Sequence, residues 1–256
     1  MKRRVLEIAT GIAEQVSSWP GVEAATLGPA AEVEVFDPYF VIDVDVYLRG
    51  DEPPPERRRE SLGSPPTFDT LPYRNADAYL AGELPVRVQY RDVAPIELNL
   101  RRASEGSWVY HRESGTNPFY RIERSRLLFE RGDWYSRAVA ALSSLPESFW
   151  EHVKSEARPW VDGSLQDLSA ASYRSDDLFF VVAASRFVRS LCAFLFAANR
   201  RFEPDARMIH SELTALAFLP SEFVARFESF VRQNPPLSRE KRREVAELLA
   251  RSIPAL

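Results

Sequence analysis

The stretch Phe40-Val41-Ile42-Asp43-Val44-Asp45-Val46-Tyr47-Leu48 decides the predicted fold of this chain. It consists mostly of β-branched and aromatic residues, which are enriched in strands. Its two charged residues, Asp43 and Asp45, are two positions apart, so a strand presents both on the same face. The stretch therefore predicts a core strand that carries a pair of carboxylates on one side.

A pair of carboxylates on a core strand needs a partner, because an unpaired buried charge is costly. A divalent cation such as Mg²⁺ meets this need, since it takes one or two carboxylates together with substrate phosphates. Two ions held in this way stabilise both the attacking and the leaving oxygen in phosphoryl transfer. The alternative that the residues leave open is an edge strand whose aspartate face meets solvent.

The regions on both sides of this strand predict further short elements in the first part of the chain. The predictions are a helix over residues 2–18, a strand over 22–27, a long mobile loop over 49–71, a short helix over 75–81, a strand over 84–90 and a helix over 95–102. Within the loop, Arg57-Arg58-Arg59 is flanked by Glu56 and Glu60, which is typical of a solvated segment.

From about residue 117 onward, the apolar spacing is helical almost throughout. The predicted helices cover residues 118–130, 134–142, 147–156, 176–200, 207–217, 221–232 and 238–251. Ser221 and Ser238 are predicted N-caps. Strands followed by helices predict an α+β protein, with a small mixed-sheet domain over residues 1–116 and an all-α helical bundle over 117–256.

The composition restricts the classes of partner. The 256 residues are 45% hydrophobic and 27% charged, which is typical of a globular protein. The formal net charge of -4 does not favour nucleic acid as a partner. Cys192 is the sole cysteine, so no intramolecular disulfide is possible, and the three scattered histidines do not form a zinc-ligand pattern.

The longest apolar stretch, over residues 178–198, has the length of a membrane span. Arg186 and Arg189 lie near its middle, and each arginine costs roughly 2.5–3.5 kcal/mol at the centre of a bilayer. We therefore expect a buried helix whose two arginines pair with buried acids. No signal-peptide-like apolar segment follows the basic N-terminus, so we expect a cytoplasmic protein with no membrane partner.

The order of these elements resembles the DNA-polymerase-β-type nucleotidyltransferase superfamily, particularly its aminoglycoside and kanamycin nucleotidyltransferase-like branch. That family has an initial helix, a strand ending in Gly-Ser, a strand bearing Asp-x-Asp, a strand with a third acid, and often a helical domain. Here Gly28 ends the first strand and Asp43-Val44-Asp45 follows. The run from Asn199 to Pro204 is also similar to the end of a helix in such bacterial proteins.

The resemblance implies that Asp43 and Asp45 are the catalytic, metal-binding pair, which would coordinate Mg²⁺ and the triphosphate of an NTP co-substrate. It implies that Gly28, Arg87, Asn199 and Arg200 contribute to nucleotide binding between the two domains. An NMP group would then pass to a hydroxyl of a small-molecule acceptor. For Asn199-Arg200-Arg201, a structural role remains open, because cations at the end of a helix complement its dipole.

The sequence departs from the family pattern at three positions. Pro29 stands where the family has serine, and proline offers neither a hydroxyl nor an N–H to a phosphate. Ile42 precedes Asp43 where the family has Ser-Asp. Arg87 stands at the best match for the third acid, although Asp92 or Glu97 would substitute in another register. An arginine there would neutralise the aspartates by ion pairing and leave a metal-free site.

Three hypotheses follow from these residues. The first is an Mg²⁺-dependent nucleotidyltransferase. The second is a catalytically degraded relative that serves as a ligand-binding or interaction module, and Pro29 and Arg87 favour it. The third is an unrelated α+β protein in which the Asp-x-Asp pattern is fortuitous.

Overall fold

The computed structural model of this chain describes residues 1–32, 37–232 and 237–253. It contains two compact units, each built from two segments of the chain. The first unit comprises Met1–Trp108 and Arg121–Leu145, and the second comprises Val109–Tyr120 and Pro146–Leu256. The boundary predicted after residue 116 lies inside the second unit's first segment, and residues 121–145, predicted in the helical domain, belong to the first unit. The predicted α+β class is confirmed.

The first unit is built on one mixed sheet. Its strands are β1 (Val22–Leu27), β2 (Ile42–Leu48), β3 (Asp69–Leu71), β4 (Ala76–Ala81), β5 (Leu84–Asp92) and β6 (Arg126–Glu130). Their order across the sheet is β3-β4-β5-β2-β1-β6. The β2–β5 pair is parallel and the other neighbouring strands are antiparallel. The predicted strand with two aspartates therefore lies at the centre of the sheet, between β5 and β1.

Helices cover both faces of this sheet. They are α1 (Lys2–Val16), α2 (Pro55–Ser61), α3 (Val93–Glu105) and α5 (Trp134–Ser143), and the last residues of α4 (Asn117–Arg124), from Arg121 onward, also belong to this unit. On one face, α1 buries Val5 and Ile12 in a core with Val44 of β2. On the other face, Tyr47 of β2 packs against Trp134 and Tyr135 of α5. Because strand side chains alternate, Asp43 and Asp45 share the Tyr47 face.

Two predictions in the first unit were wrong. The long loop over residues 49–71 contains α2, which begins at Pro55, and the short strand β3. Residues 75–81 contain β4 rather than a helix. Alanine and leucine favour a helix there, but Gly82, at φ +66°, turns the chain so that β4 pairs antiparallel with β5. Tertiary pairing thus outweighs local helix propensity.

The helix predicted over residues 118–130 is also wrong in its second half. The helix α4 ends at Arg124, and Arg126–Glu130 forms the strand β6. This strand pairs with β1 and satisfies backbone groups that would otherwise form an open sheet edge. Helical spacing in a short segment does not reveal such a distant strand partner.

The second unit is a helical bundle, as predicted. Its helices are α6 (Glu147–Arg174), α7 (Asp177–Ala198), α8 (Ile209–Thr214), α9 (Phe223–Val231) and α10 (Arg239–Ser252). The core centres on α7, where Phe187, Leu191 and Leu195 are fully buried. The prediction that ended α6 at residue 156 was wrong, because the helix continues through Pro159 while packing against α7.

The two predicted N-caps have different outcomes. The hydroxyl of Ser238 accepts a hydrogen bond from the backbone N–H of Lys241, so the prediction for α10 is confirmed. For α9, Glu222 rather than Ser221 is the N-cap residue, and its side chain makes no capping bond. That prediction was wrong.

By length and composition, α7 is long and apolar enough to cross a membrane, and 56% of its most apolar window is buried inside the protein. Arg186 and Arg189 were expected to pair with buried acids, and this expectation was wrong. Both are exposed. Arg186 lies 3.8 Å from the half-exposed carboxylate of Asp167 on α6, and Arg189 donates to the backbone carbonyl of Glu113.

Candidate functional site

The two aspartates of β2 meet a row of polar residues on β5. The parallel register places Asp43 beside Arg87 and Asp45 beside Gln89, and Arg91 follows two positions later on the same face. Val44 is fully buried on the opposite face, in the core beneath α1. The prediction that both aspartates share one face of a core strand is therefore confirmed.

Asp43 is held by a bidentate ion pair. Arg87 Nε donates to Asp43 Oδ1 at 2.6 Å, and Arg87 Nη2 donates to Asp43 Oδ2 at 2.8 Å. The Asp43 side chain is 14% exposed and the Arg87 side chain is 24% exposed. This fork-to-fork geometry is the strongest that arginine makes with a carboxylate, and it uses both oxygens of Asp43.

Asp45 is fully buried and lies between two arginines. Arg91 Nε donates to Oδ1 at 2.7 Å, while Arg121 of α4 donates to Oδ2 through Nη2 at 2.7 Å and Nε at 3.2 Å. Gln89 Oε1 accepts a further hydrogen bond from Arg91 Nη2. Burial alone would raise the pKa of Asp45, but the two guanidinium groups outweigh it and the pKa is lowered. Asp45 is therefore a carboxylate at neutral pH.

Gly28 lies directly beside Asp43, as the resemblance implies. Its N–H donates to the backbone carbonyl of Asp43 at 2.8 Å. A Cβ at position 28 would be 3.2 Å from the Asp43 Cβ, closer than most such contacts, so glycine suits this position. The tight turn that follows begins at Pro29, which has no N–H to offer to a phosphate.

The donor set does not fit Mg²⁺ as the residues stand. Magnesium requires free carboxylate oxygens in near-octahedral geometry. Here both oxygens of Asp43 and both oxygens of Asp45 accept hydrogen bonds from guanidinium groups. Among the described residues, no group of three or more histidines, cysteines, aspartates and glutamates could hold a metal ion. The prediction of Mg²⁺ stays a prediction, and the chemistry of this donor set counts against it.

The two residues that could have replaced the third acid have other partners. Asp92 is the N-cap of α3, where its carboxylate accepts from the backbone N–H of Ala94. Glu97 accepts from Arg49 at 2.7 Å and from the Trp134 indole at 3.1 Å. The register of β5 therefore leaves Arg87 at the position that faces Asp43.

Two buried hydroxyls, those of Thr26 and Tyr47, lie close to Asp45. Thr26 on β1 pairs in register with Asp45, and Tyr47 is two positions further along β2. Both side chains are fully buried, and within the described part of the chain their hydroxyls have no hydrogen-bond partner. Burial, with the nearby Asp45 charge, raises the pKa of Tyr47 well above its usual range. Buried hydroxyls without partners are rare in folded proteins and call for an explanation, such as water.

The remaining predicted site residues lie in the second unit. The side-chain amide of Asn199 donates to the carbonyls of Leu195 and Phe218, and its oxygen accepts from the Phe218 N–H. Arg200 Nη2 lies 2.6 Å from the carboxylate of Glu147. Asn199 thus closes the end of α7, and Arg200 pairs with the start of α6. Their predicted contact with nucleotide stays a prediction.

Arg91 and Arg121 were missed by the sequence analysis. A signal for Arg91 was present, because it extends the polar face of β5 formed by Arg87 and Gln89. Arg121 lies on α4, and its contact with Asp45 spans 76 positions of sequence. No local pattern could have revealed that contact.

No family model matches this chain, and no curated protein matches it. Among solved structures, the chain is similar to a nucleotidyltransferase-like protein from Exiguobacterium sibiricum. The two share 11% sequence identity, and the match covers 97% of this chain and 73% of the other, with a TM-score of 0.49. A likeness at this level carries no conclusion about the activity of this chain.

Proposed function

We propose that this chain is a catalytically degraded nucleotidyltransferase-like protein that binds a phosphate-bearing ligand, such as a nucleotide, without a metal ion. The observation that carries the proposal is the arginine cluster, defined as Arg87, Arg91 and Arg121 around Asp43 and Asp45. In a metal-dependent site, these carboxylates would face a metal ion. Here they face guanidinium groups, as the second hypothesis from the sequence anticipates.

The hydrogen-bond donors of the arginine cluster suit an anionic ligand. Three guanidinium groups, those of Arg87, Arg91 and Arg121, surround the two carboxylates. A guanidinium group carries five N–H donors. Arg87 uses two of them on Asp43, and Arg91 uses one on Asp45 and one on Gln89. Phosphate oxygens match the guanidinium fork in the same way as carboxylates do. Arg87 and Arg91 therefore offer directed donors to a phosphate group.

The partial exposure of the cluster allows a ligand to reach it. The side chains of Arg87 and Arg91 are partly exposed, whereas Asp45 is fully buried beneath them. The aspartates would therefore orient the arginines through their ion pairs, and the arginines would bind the ligand. In this arrangement, Asp43 and Asp45 are positioning residues rather than metal ligands.

A second candidate function is Mg²⁺-dependent transfer of an NMP group to a hydroxyl of a small-molecule acceptor. The observation that favours it is the placement of Asp43 and Asp45 on one face of β2 with Gly28 alongside. This candidate requires a metal ion to displace Arg87 and Arg121 from the carboxylates. Such a displacement would leave partly buried guanidinium charge to be neutralised elsewhere.

Calorimetry separates the two candidates. Binding of ATP, GTP, CTP and UTP is measured with Mg²⁺ and, separately, with EDTA. The proposal predicts that at least one NTP binds equally well in EDTA and that Arg87→Gln weakens this binding by about tenfold or more, the equivalent of ~1.4 kcal/mol. Arg57→Gln, which removes an exposed arginine of α2, is the matched control and is expected to bind as the wild type does.

Two results would overturn the proposal. Binding that requires Mg²⁺ and disappears in Asp43→Asn would support the nucleotidyltransferase candidate, and a search for acceptor hydroxyls would follow. An absence of binding for all four NTPs and for inorganic triphosphate, in folded wild-type protein, would reject the arginine cluster as a phosphate site.

A further inference from the structure

A cavity of about 450 Å³ lies within the second unit, beside α7. Its walls come from α7, from the segment over residues 113–117 and from the segment over residues 203–209. We call it the α7 cavity. Its volume lies within the range of small-molecule binding sites. All of its lining residues belong to the second unit, so it is distinct from the arginine cluster of the first unit.

The α7 cavity has an apolar wall and an acidic side. The side chains of Val188, Phe196 and Ile209 form the apolar wall. The charged lining residues are three acids and one arginine, namely Glu113, Glu203, Asp205 and Arg189. Arg189 donates to the backbone carbonyl of Glu113, so its guanidinium is already engaged on the wall. The Glu203 carboxylate accepts hydrogen bonds from neutral donors, so it favours a cationic ligand over an anionic one.

Glu203 is the best-positioned of the three acids. Its Oε1 accepts from the N–H of Thr116 at 3.0 Å, from the Thr116 hydroxyl at 3.5 Å and from the Tyr110 hydroxyl at 3.4 Å. Its own N–H donates to the Thr116 hydroxyl at 2.8 Å. These bonds fix the carboxylate from one side, and none of them goes to Oε2.

Gly115 is part of this arrangement. It adopts φ +53°, and a Cβ built on it would lie 2.3 Å from Oε1 and 2.6 Å from Oε2 of Glu203. Only glycine therefore allows the backbone to lie against the carboxylate. The hydrogen-bond donors to Glu203 are all neutral, and burial raises the pKa of this group, an effect that the Thr116 hydrogen bonds and the Arg189 charge only partly offset. A half-buried carboxylate in such a setting gains from a cation.

We propose that the α7 cavity binds a small organic ammonium ion with an apolar body, whose ammonium group pairs with Glu203 and whose body packs on Val188 and Phe196. The ammonium would supply the positive charge that the neutral donors to Glu203 do not. The apolar wall would remove the ligand body from water. This inference concerns the second unit alone and is independent of the function proposed for the arginine cluster.

The test uses three probes with the same aromatic body and different charge: tryptamine, tryptophol and indolepropionate. Binding to the full chain is measured by saturation-transfer NMR and by the shift in melting temperature. Tryptamine is expected to bind at least about tenfold more tightly than tryptophol, a difference of ~1.4 kcal/mol, and indolepropionate is expected not to bind. Glu203→Gln is expected to remove the preference for tryptamine while retaining the hydrogen bonds to Oε1.

A second variant keeps the test decisive if Glu203→Gln fails to fold. Ser185 is an exposed residue of α7 that lines the cavity, so Ser185→Trp fills the space without removing a core side chain. It is expected to abolish tryptamine binding with an unchanged far-UV circular dichroism spectrum. Glu156→Gln, an exposed acid of α6 outside the cavity lining, is the charge-matched control and is expected to bind as the wild type does.

Three outcomes would overturn the inference. The first is equal binding of indolepropionate and tryptamine, which would show that charge does not select the ligand. The second is tryptamine binding that survives Ser185→Trp, which would place the ligand elsewhere. The third is no tryptamine binding to the wild-type protein at about 10 mM, which corresponds to an affinity too weak for a built site.

Discussion

Arg87 on β5 donates a hydrogen bond to each carboxylate oxygen of Asp43 on the neighbouring parallel strand β2, with N–O distances of 2.6 and 2.8 Å. The pair lies at the position where the nucleotidyltransferase resemblance implies two acids and a metal ion. A guanidinium group supplies positive charge to the same carboxylate, but it also occupies the oxygen atoms that a metal would need. At Asp43, Arg87 thus takes the place that a metal ion would need.

Replacing Arg87 by an acid should convert the cluster toward metal binding. Arg87→Asp places a third carboxylate beside Asp43 and removes the guanidinium that occupies its oxygens. We expect the variant to be less stable than the wild type without metal and to be restabilised by Mn²⁺ or Mg²⁺. A metal present at about 100 times its Kd adds ~2.7 kcal/mol to the stability of the folded state.

Thermal unfolding with and without Mn²⁺ measures this effect. The wild type should show no metal-dependent shift in Tm, and Arg87→Asn serves as the control that removes the guanidinium without adding a carboxylate. If Arg87→Asp and Arg87→Asn respond identically to Mn²⁺, the third carboxylate is not the missing element.

The two aspartates should differ in their contribution to stability. Asp45 is fully buried and pairs with two arginines, whereas Asp43 is partly exposed and pairs with one. Removing one partner of a buried ion pair costs ~3–5 kcal/mol, because the remaining charge is left uncompensated. We therefore expect Asp45→Asn to lower the free energy of unfolding by about this amount, and Asp43→Asn by ~1–3 kcal/mol. Urea denaturation of the two variants checks the order, and equal losses would contradict it.

The arginine cluster should make the protein sensitive to acid. The folded-state pKa of Asp45 is lowered, so the unfolded state binds the proton more readily. The stability that this group contributes is present above its unfolded pKa, about 3.9, and is lost as the pH falls through the lower folded pKa. Urea denaturation at pH 5 and at pH 3 should show a smaller loss of stability in Asp45→Asn than in the wild type. A parallel loss in both proteins would remove Asp45 from the explanation.

Much of the fold could be predicted because it is encoded in local patterns. The strand around Asp43 and Asp45 and the long helix α7 both follow from spacing and residue type. The strand β4 could not be predicted in this way, since its residues favour a helix and only pairing with β5 makes them a strand. The prediction for the residues of β6 was wrong for the same reason, because the partner strand β1 lies about a hundred residues earlier.

Part of the candidate site could also be predicted from local patterns, and part of it could not. Arg87 was predicted to face the aspartates because strand alternation and the family order both indicated that position. Arg121 could not be predicted, since its contact with Asp45 depends on where α4 lies against the sheet. Arg58 was misread for a related reason. In a loop, three consecutive arginines are solvated, but in the helix α2 only the middle one faces inward.

That inward arginine should be important for stability. Arg58 donates to both oxygens of the fully buried Asp77, at 2.7 and 2.9 Å, and the Tyr90 hydroxyl donates to Asp77 at 2.6 Å. Arg58→Ala would leave the Asp77 carboxylate buried without its cation, at a cost of ~3–5 kcal/mol. The neighbouring Arg57 is exposed, so Arg57→Ala should change stability by less than ~0.5 kcal/mol. Urea denaturation of both variants tests this contrast, and similar values would mean that α2 does not anchor Asp77.

The last prediction concerns Glu203 in the α7 cavity, whose pKa is raised by burial. A raised folded-state pKa means that the native protein holds the proton more tightly than the unfolded chain does. Stability from this group is therefore fully present below the unfolded pKa, about 4.3, and is lost as the pH rises through the folded pKa. Each unit of raised pKa corresponds to about 1.4 kcal/mol.

Glutamine cannot take on a charge at position 203, so Glu203→Gln should escape this loss. The difference in unfolding free energy between variant and wild type is expected to shift in favour of the variant between pH 4 and pH 7. The acid sensitivity that arises from Asp45 is common to both proteins and cancels in the difference. Glu156→Gln, on an exposed face of α6, should show no such shift. A difference that stays constant with pH, or that shifts toward the wild type, would mean that the cavity already supplies Glu203 with a sufficient positive partner.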